Sequence, residues 1–410
     1  MAFDPKEGVV EYSEFLGLRN NVGVSEFEPG DLSVALNVDI DDAKRIARRK
    51  GFSTPVIAGI DRDLWATSAI CLGVGSNTLK QIHPNYETTI LRTGLASSRP
   101  LSYSAVGARV YYSNGVETGC IEGGAHRTWG LEIPIAPVLT VTGGTLPIGK
   151  YQVVVTYLRQ DGQESGASKA STIELTDIGG ISVSSISISA DSTVDRKVIY
   201  VSSTNGEILY RSGIIAADVI VYMVRESRLG VTPLSTQFLL PPPAGDYIAY
   251  YDGYMLVAKG QYIYYSESYA PELFDVRKAV PFLDRITMVA PVDDGVWVGT
   301  NSQIVWLQGA PSEWVFREKA TYGAIPGTLA YCDGEVLGEG GTKGIQIALF
   351  VSKTGTICTA GNTGQFQNLT ERRFAFPSMD RGAAIVRRHS GMIQYLAGLQ
   401  GIEVAGNIVA

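Results

Sequence analysis

One β-hairpin pattern recurs along the second half of the chain and constrains the fold more than any other feature. Residues 252–266 predict two strands, with a turn at Asp252-Gly253 and another near Lys259-Gly260. A second Asp-Gly pair at Asp294-Gly295 and a third at Asp333-Gly334 follow at intervals of roughly 40 residues. Self-similarity at this period, in strands rather than in helices, is typical of β-propeller blades.

Two further matches strengthen this repeat. The pair Ala270-Pro271 has a counterpart at Ala310-Pro311, again about 40 residues later. Far upstream, residues 107–113 (GARVYYS) match residues 260–266 (GQYIYYS) in the glycine, the β-branched residue and the final Tyr-Tyr-Ser. Asp-Gly hairpins at irregular spacing occur in any all-β protein, but shared order and spacing over several features favour a propeller.

Length and composition agree with a large, β-rich fold. A chain of 410 residues is too long for one ordinary core, so two domains or one large ring of repeats is expected. Apolar residues make up 45% of the chain and charged residues only 18%, which indicates a folded globular protein. The 46 glycines and 21 tyrosines favour turns and strands over helices.

Charge and cysteine usage narrow the function classes. The net charge of −7 argues against a general nucleic-acid-binding protein, although not against a protein that DNA slides past. The scattered Cys71, Cys120, Cys332 and Cys358 predict reduced core thiols and synthesis in a cytoplasm. Because the N-terminus has no apolar segment and no run reaches transmembrane length, we expect neither a signal peptide nor a membrane anchor.

The strand pattern changes at Pro134 and changes back after the proline run 241–243. Between them, about seven short strands in about 100 residues predict an inserted immunoglobulin-like sandwich, which resembles a fibronectin type III module at residues 149–165. The sequence therefore predicts an all-β chain, a propeller interrupted by this insert. Its three predicted segments are 1–133 (N-terminal closing strands and first propeller blades), 134–240 (inserted fibronectin-III-like sandwich) and 241–410 (remaining blades).

About six blades are predicted in all. They lie near residues 62–95, 102–130, 247–275, 290–318, 328–370 and 383–402. Two short N-terminal strands around a turn at Asp41-Asp42-Ala43 are expected to pair into the last blade. This pairing would close the ring and remove its exposed sheet edges.

No metal or nucleotide site is predicted. His83, His126 and His389 lie far apart, and none has a partner at ligand spacing. Asp39, Asp41 and Asp42 lack the glycine and distal glutamate of a calcium loop, so turn chemistry explains them. The glycine-rich residues 338–344 lack the Gly-Lys-Ser/Thr ending of a P-loop and predict a β-turn. The following basic residues predict a solvated strand edge: Arg45, Arg48, Arg49 and Lys50.

The sequence also gives little evidence for a catalytic site. Propellers host glycosidases, which need two carboxylates at a fixed distance. Glu267, Glu272 and Asp275 are the nearest candidates, but their spacing does not place them in one pocket. Residues 368–370 match a glycosylation acceptor, which has no meaning without a signal peptide. The sequence predicts a protein that is not an enzyme and has no catalytic, cofactor-binding or metal-binding residues.

Two short motifs resemble a known family. Residues 36–41 (LNVDID) leading to 48–52 (RRKGF), and residues 264–268 (YYSES) with 271–275 (PELFD), look like virion proteins of bacteriophages. The chain resembles the tail nozzle family of short-tailed phages, also called tail tubular or packaged-DNA stabilisation proteins. The likeness spans most of the chain as architecture and about 40 residues as motif. It implies a homohexameric tube below the portal and its adaptor ring, which retains packaged DNA and conducts it during ejection.

The resemblance also implies partners and a location. The expected partners are other copies of the chain, the portal and adaptor proteins, tail fibres or tail tip proteins, and genomic DNA that passes without specific binding. The expected location is the virion tail, after assembly in the host cytoplasm. An acidic tube without basic clusters would repel passing phosphates. A receptor-binding or carbohydrate-binding propeller of the virion stays open as an alternative, and a propeller glycoside hydrolase is a further one.

Overall fold

The computed structural model describes residues 14–41, 43–49, 51, 57, 59–96, 99–226, 230–337, 344–377, 379–389 and 392–401. These residues form strands and short 3-10 helices, and no α-helix occurs among them, which confirms the all-β class. No helix in these ranges is long and apolar enough to cross a membrane. By contact density the chain forms two compact units, residues 59–281 and residues 1–58 with 282–410.

The N-terminal part contains four short strands and a 3-10 helix at Val24–Glu26. The strands are β1 (Gly17–Leu18), β2 (Asp31–Leu32), β3 (Val38–Ile40) and β4 (Ile46–Arg48). The last two form the hairpin predicted around residues 41–43. In the described part of the chain, however, β3 and β4 pair only with each other, so the predicted ladder into the last blade is not formed. The N-terminal segment is held instead by Arg373, which donates to Asp31 at 2.7 Å and to the Leu16 carbonyl at 3.0 Å.

Two four-stranded antiparallel sheets follow, each built from consecutive strands. The first contains β5 (Arg62–Ala66), β6 (Cys71–Gly75), β7 (Thr78–Ile82) and β8 (Thr88–Arg92). The second contains β9 (Ser102–Val106), β10 (Arg109–Ser113), β11 (Thr118–Glu122) and β12 (Ala125–Arg127). One apolar cluster with Leu72, Leu79 and Tyr112 joins the two sheets. The strands predicted at residues 62–95 and 102–130 are confirmed.

Seven strands fill the predicted insert. They are β13 (Val138–Leu146), β14 (Gly149–Arg159), β15 (Ser171–Leu175), β16 (Gly179–Ser184), β17 (Val194–Ser202), β18 (Leu209–Ala216) and β19 (Tyr222–Val224). They form two sheets, in the orders β13-β16-β19 and β15-β14-β17-β18. Both sheets contribute to one core, where alternate residues of β14 (Tyr151, Val153 and Val155) pack against Ile181 and Val183. The predicted strand count is confirmed.

The hairpin pattern at residues 252–266 lies in the next antiparallel sheet. Its strands are β20 (Tyr247–Tyr251), β21 (Tyr254–Lys259), β22 (Tyr262–Glu267) and β23 (Ala270–Pro281). Asp252 and Gly253 form the two-residue turn between β20 and β21, with φ values of 47° and 85°. Positive φ at both positions is the geometry that tight β-hairpins require. The predicted turn and both predicted strands are confirmed.

The proline run before β20 is packed rather than free. A Cβ added to Gly130 would lie 2.7 Å from the Cδ atom of Pro242. Leu240 and Phe274 exchange backbone hydrogen bonds of 2.8 and 2.9 Å. Residues 241–243 are therefore a packed connection within one compact unit. The three-segment division into 1–133, 134–240 and 241–410 stays a prediction.

Two more four-stranded antiparallel sheets follow in residues 286–368. The first contains β24 (Ile286–Val292), β25 (Gly295–Thr300), β26 (Ile304–Gln308) and β27 (Val315–Ala320). The second contains β28 (Ala330–Asp333), β29 (Gln346–Val351), β30 (Ile357–Ala360) and β31 (Phe366–Asn368). Trp297, Trp306 and Phe350 lie in one apolar cluster between them. Three 3-10 helices, at Pro311–Glu313, Gly334–Leu337 and Asn362–Gly364, lie in the connections.

The last strands, β32 (Met379–His389) and β33 (Met392–Gly401), form a hairpin with no third strand among the described residues. Among the described residues, the blade predicted near residues 383–402 consists of this two-stranded hairpin. The hairpin contacts the segment before β28, where Gly382 donates to the Pro326 carbonyl at 2.9 Å. Tyr395 donates its hydroxyl to the Thr328 carbonyl at 2.5 Å.

The repeated motifs do not occupy equivalent positions. Residues 107–113 supply the second strand of their sheet, whereas residues 260–266 supply the third strand of theirs. Gly295 is the first residue of β25, because the turn there is formed by Asp293 and Asp294. Asp333-Gly334 ends a strand and begins a 3-10 helix. The motifs therefore identify turn–strand units correctly but do not fix their place in a sheet.

Candidate functional site

A cleft of about 420 Å³ lies beside β22 and β23. Its walls come from the loop before the proline run and from the two strands. The lining residues are Ser235, Thr236, Gln237, Leu239, Glu267, Ala270, Leu273, Asp275 and Lys278. Its volume falls within the range of small-molecule sites.

A large bulge in β23 builds one wall of the cleft. Phe274 pairs with Ser266 and Ala279 pairs with Tyr264, so residues 275–278 lie opposite the single residue Tyr265. Bulges of this kind redirect side chains and recur next to functional sites. Here the bulge places Asp275 and Lys278 on the cleft wall.

The opposite wall is anchored at both ends. Ala167 donates its backbone N–H to the Thr236 carbonyl at 3.2 Å, and Leu239 donates to the same carbonyl at 3.3 Å. The exchange between Leu240 and Phe274 then joins the loop to β23. The cleft is therefore preformed, because backbone hydrogen bonds hold both walls.

Ion pairs hold the charged groups of the cleft. Lys278 Nζ lies 2.7 Å from a Glu267 oxygen, and Arg277 binds both oxygens of Asp275 at 2.9 and 2.8 Å. The hydrogen bonds from Arg277 lower the pKa of Asp275 to about 2. The hydrogen bond to Glu267 raises the pKa of Lys278. Asp275 and Lys278 are therefore charged at neutral pH.

The three carboxylates considered for glycoside hydrolysis do not converge. Glu267 and Asp275 line the cleft, but Glu272 does not. Glu272 is buried and accepts hydrogen bonds from the Tyr111 hydroxyl at 2.7 Å and from Arg109 at 3.1 Å. A glycosidase acid needs a raised pKa, whereas Arg277 lowers that of Asp275. This geometry does not favour acid catalysis at the cleft.

Glu272 belongs to an ion-pair network. Arg109 contacts Glu122 at 2.8 Å, Asp161 at 2.7 Å and Glu272 at 3.1 Å. Arg127 contacts the same Glu122 and Asp161 at 2.8 and 3.0 Å. The network connects the sheet β9–β12 to the turn after β14 and to β23. Because the network joins three separate elements, we infer that it stabilises the fold.

The two histidines whose side chains the structure describes, His83 and His126, have separate partners. His83 lies 2.8 Å from the Thr89 hydroxyl, and half-buried His126 lies 2.9 Å from the Tyr112 hydroxyl. Burial, together with the charge of Arg92, lowers the pKa of His126. The side chain of His389 lies outside the described residues. Within those residues, no group of three or more histidines, cysteines or acidic residues could hold a metal ion.

Two of the remaining sequence candidates, Asp39 and Asp41, have local partners. Asp39 pairs with Arg49 at 3.0 Å and Asp41 pairs with Arg45 at 2.9 Å. Asp42, Lys50 and residues 338–343 lie outside the described residues. The Asn368 amide donates to the Thr356 hydroxyl at 2.9 Å. All four thiols are free, and two of them, Cys120 and Cys358, are buried.

Sequence reasoning missed the loop wall of the cleft. Thr236, Gln237 and Lys278 carry no motif, and the bulge that exposes residues 275–278 has no signature in the strand pattern. Glu267 and Asp275 were considered as carboxylates and do share the cleft.

No protein-family model matches the chain, and no curated protein matches it. The chain is similar to a solved structure of BBS1N in complex with ARL6DN, with a TM-score of 0.35 and 10% identity, over 85% of this chain and 93% of that one. It is also similar to apo AztD from Citrobacter koseri, with a TM-score of 0.28 and 10% identity, over 81% and 90% of the two chains. Likeness at these TM-scores carries no argument about function.

Proposed function

We propose that this protein is the tail nozzle of a short-tailed bacteriophage. Six copies form a tube below the portal and its adaptor, retain the packaged DNA and conduct it during ejection. The protein acts as a structural component and not as an enzyme. Tail fibres or tip proteins attach to the assembled tube, which is built in the host cytoplasm.

The observation that carries the proposal is the arrangement of the sheets. Five four-stranded antiparallel sheets are each built from consecutive strands. Two of them precede, and three follow, a seven-stranded segment that has its own core. This arrangement supports a propeller of about six blades, with β32–β33 as an incomplete sixth, interrupted by a fibronectin-III-like insert. The sequence resemblance to nozzle proteins implies the same architecture.

The electrostatics support a tube through which DNA passes. The net charge is −7, and the basic residues of the β3–β4 hairpin are partly neutralised by Asp39 and Asp41. Strong phosphate binding needs clustered, unpaired basic side chains. A DNA-conducting channel works best without such binding, because each bound phosphate would slow the passage of the genome.

A closed ring needs a head-to-tail interface, in which one patch of the chain meets a different patch of its neighbour. The test is electron microscopy of the purified chain with its portal and adaptor, and of the particle itself. We expect a six-fold ring coaxial with the DNA channel. A monomer displayed on the outside of a fibre would contradict the proposal.

The cleft beside β22 and β23 favours a second candidate, a receptor-binding or carbohydrate-binding virion protein. Its polar, preformed walls suit a small hydrophilic ligand. Microscopy distinguishes the two candidates, because a receptor binder lies at the outer end of the tail or on a fibre.

A further inference from the structure

Phe238 lies at the rim of the cleft in an unfavourable backbone conformation. It stands between the lining residues Gln237 and Leu239, with φ at 65°, and its side chain is 66% exposed. A bulky side chain rarely adopts the left-handed region, and such outliers concentrate at functional sites. The loop therefore keeps Phe238 in a backbone conformation that a bulky residue disfavours. It also keeps a large apolar ring exposed to solvent.

Arg277 fixes this ring relative to the cleft. Its guanidinium carbon lies 5.7 Å from the centroid of the Phe238 ring, and its nitrogens bind Asp275. The cation–π contact and the ion pair together connect the exposed ring to a carboxylate on the cleft wall. An aromatic plane and a hydrogen-bond acceptor are therefore held side by side.

Thr236 supplies an independent sign of a ligand. It lines the cleft, is only 4% exposed, and its hydroxyl has no hydrogen-bond partner. Buried polar atoms without a partner are costly and uncommon in folded proteins. The hydroxyl oxygen is closed to solvent in the free protein. A polar ligand in the cleft would supply the missing partner once the Thr236 side chain turns towards it.

The charge balance of the cleft identifies the ligand class. The negative charges of Glu267 and Asp275 are offset by Lys278 and Arg277, so no net charge is left to attract an ion. The carboxylates accept hydrogen bonds, and Gln237 and Lys278 donate them. Sugar hydroxyls both donate and accept, and the C–H face of a sugar ring packs on an aromatic plane.

We propose that the cleft between the loop 235–239 and the strands β22 and β23 binds a neutral saccharide. One sugar ring stacks on Phe238, and its hydroxyl groups bond to Gln237, Thr236 and the carboxylates of the opposite wall. This inference rests on the second candidate of the proposed function, the carbohydrate-binding one, and does not depend on the nozzle assembly. Microscopy tests the ring, whereas the experiment below tests ligand binding by one chain, so the two can fail separately.

The test uses the full chain on an array of neutral oligosaccharides, with sialylated and sulfated oligosaccharides as charged comparisons. We expect a neutral oligosaccharide to bind, and titration calorimetry with that compound then compares variants. Phe238→Ala should weaken binding about tenfold, since it removes the stacking plane. Thr236→Val should weaken it about three- to tenfold without lowering the melting temperature, because the lost hydroxyl has no partner in the free protein.

Tyr86→Ala is the matched control. Tyr86 is also an exposed aromatic residue at positive φ (58% exposed, φ 66°), but it lies in the turn between β7 and β8 and does not line the cleft. Its loss should change affinity less than twofold. The proposal is overturned if no neutral oligosaccharide binds at millimolar concentration or if only charged ones bind. It is also overturned if Phe238→Ala, or Thr236→Val where the first variant does not fold, binds like the wild type.

Discussion

The sheets β20–β23 and β24–β27 have the same number and order of strands, but different groups fill the space beside them. In β24–β27, Trp297 and Trp306 lie fully buried with ring centroids 5.0 Å apart, in a cluster of apolar residues. In β20–β23, the buried Glu272 binds Arg109 and Tyr111, and a bulge opens a polar cleft.

The shared Ala-Pro pair shows how this difference arises. Ala270-Pro271 begins the strand β23, and the buried Glu272 follows it directly. Ala310-Pro311 instead enters a 3-10 helix, and the exposed Ser312 follows. The same dipeptide thus begins a strand in one sheet and lies in the connection between two strands in the other. A repeat can preserve strand order while leaving each sheet free to acquire an apolar core or a polar site.

The largest expected effect is on the apolar side. Trp297→Ala should lower the free energy of unfolding by about 3–5 kcal/mol, because it leaves a cavity beside Trp306 and Phe350. Denaturant titration followed by circular dichroism measures this change. Val315→Ala in the same sheet is the control, since its side chain is exposed and should change stability by less than about 0.5 kcal/mol. A Trp297→Ala loss below about 1 kcal/mol would contradict the assignment of a tightly packed core.

On the polar side, Glu272→Ala should cost about 2–3 kcal/mol, because it leaves the buried Tyr111 hydroxyl without its acceptor. Arg109 loses one of its three carboxylate partners. The cycle of Glu272→Met, Arg109→Met and the double variant isolates the Arg109–Glu272 pair, and the double loss should fall short of the sum of the single losses by about 0.5–3 kcal/mol. Denaturant titration of the single and double variants gives the coupling energy. If the losses of the single variants simply add, the two side chains do not interact, and the inferred stabilising role of this ion pair is wrong.

The Asp-Gly pairs at Gly253 and Gly295 provide a sharper comparison of the two sheets. A Cβ on Gly295 would lie 2.3 Å from Trp306 Cη2 and 2.4 Å from the Leu307 carbonyl, so Gly295→Ala should cost about 3 kcal/mol. Gly253→Ala should cost only about 1 kcal/mol, from its φ of 85°, because its nearest neighbour is the exposed Tyr269 ring. Thermal melting of both variants measures the difference. Equal losses would mean that the two pairs occupy equivalent turns.

The sequence pattern predicted more of the fold than of the site. The strands of five sheets and the seven strands of the insert follow from alternation and turn residues, which are local signals. The predicted pairing of the N-terminal strands into the last blade is not formed among the described residues, because the contacts that hold this segment are long-range ones, such as Arg373 with Asp31. The cleft was missed for the same reason. It depends on the bulge at 275–278 and on the distant loop at 235–239, and neither changes the local pattern.

The smallest expected effect concerns pH and is confined to the sheet β20–β23. By the 40-residue spacing of the two Ala-Pro pairs, Asp275 corresponds to the apolar Val315 in the sheet β24–β27. Arg277 holds the pKa of Asp275 at about 2, below the value of about 3.9 in an unfolded chain. The unfolded state therefore binds the proton first as pH falls. The stability that Asp275 contributes is present above about pH 4 and is lost as pH falls towards 2.

The contribution is small because the Arg277 side chain is 72% exposed and solvent screens the pair. The measurement is the difference in melting temperature between the wild type and Asp275→Asn, taken at pH 6 and again at pH 3. We expect the wild type to be the more stable protein at pH 6 and its advantage to shrink at pH 3. In an Arg277→Met background the same comparison should show little dependence on pH, because the partner that lowers the pKa is gone. If the stability advantage of the wild type over Asp275→Asn grows on acidification, the pKa of Asp275 is not lowered in the folded state, and Arg277 does not have the effect assigned to it.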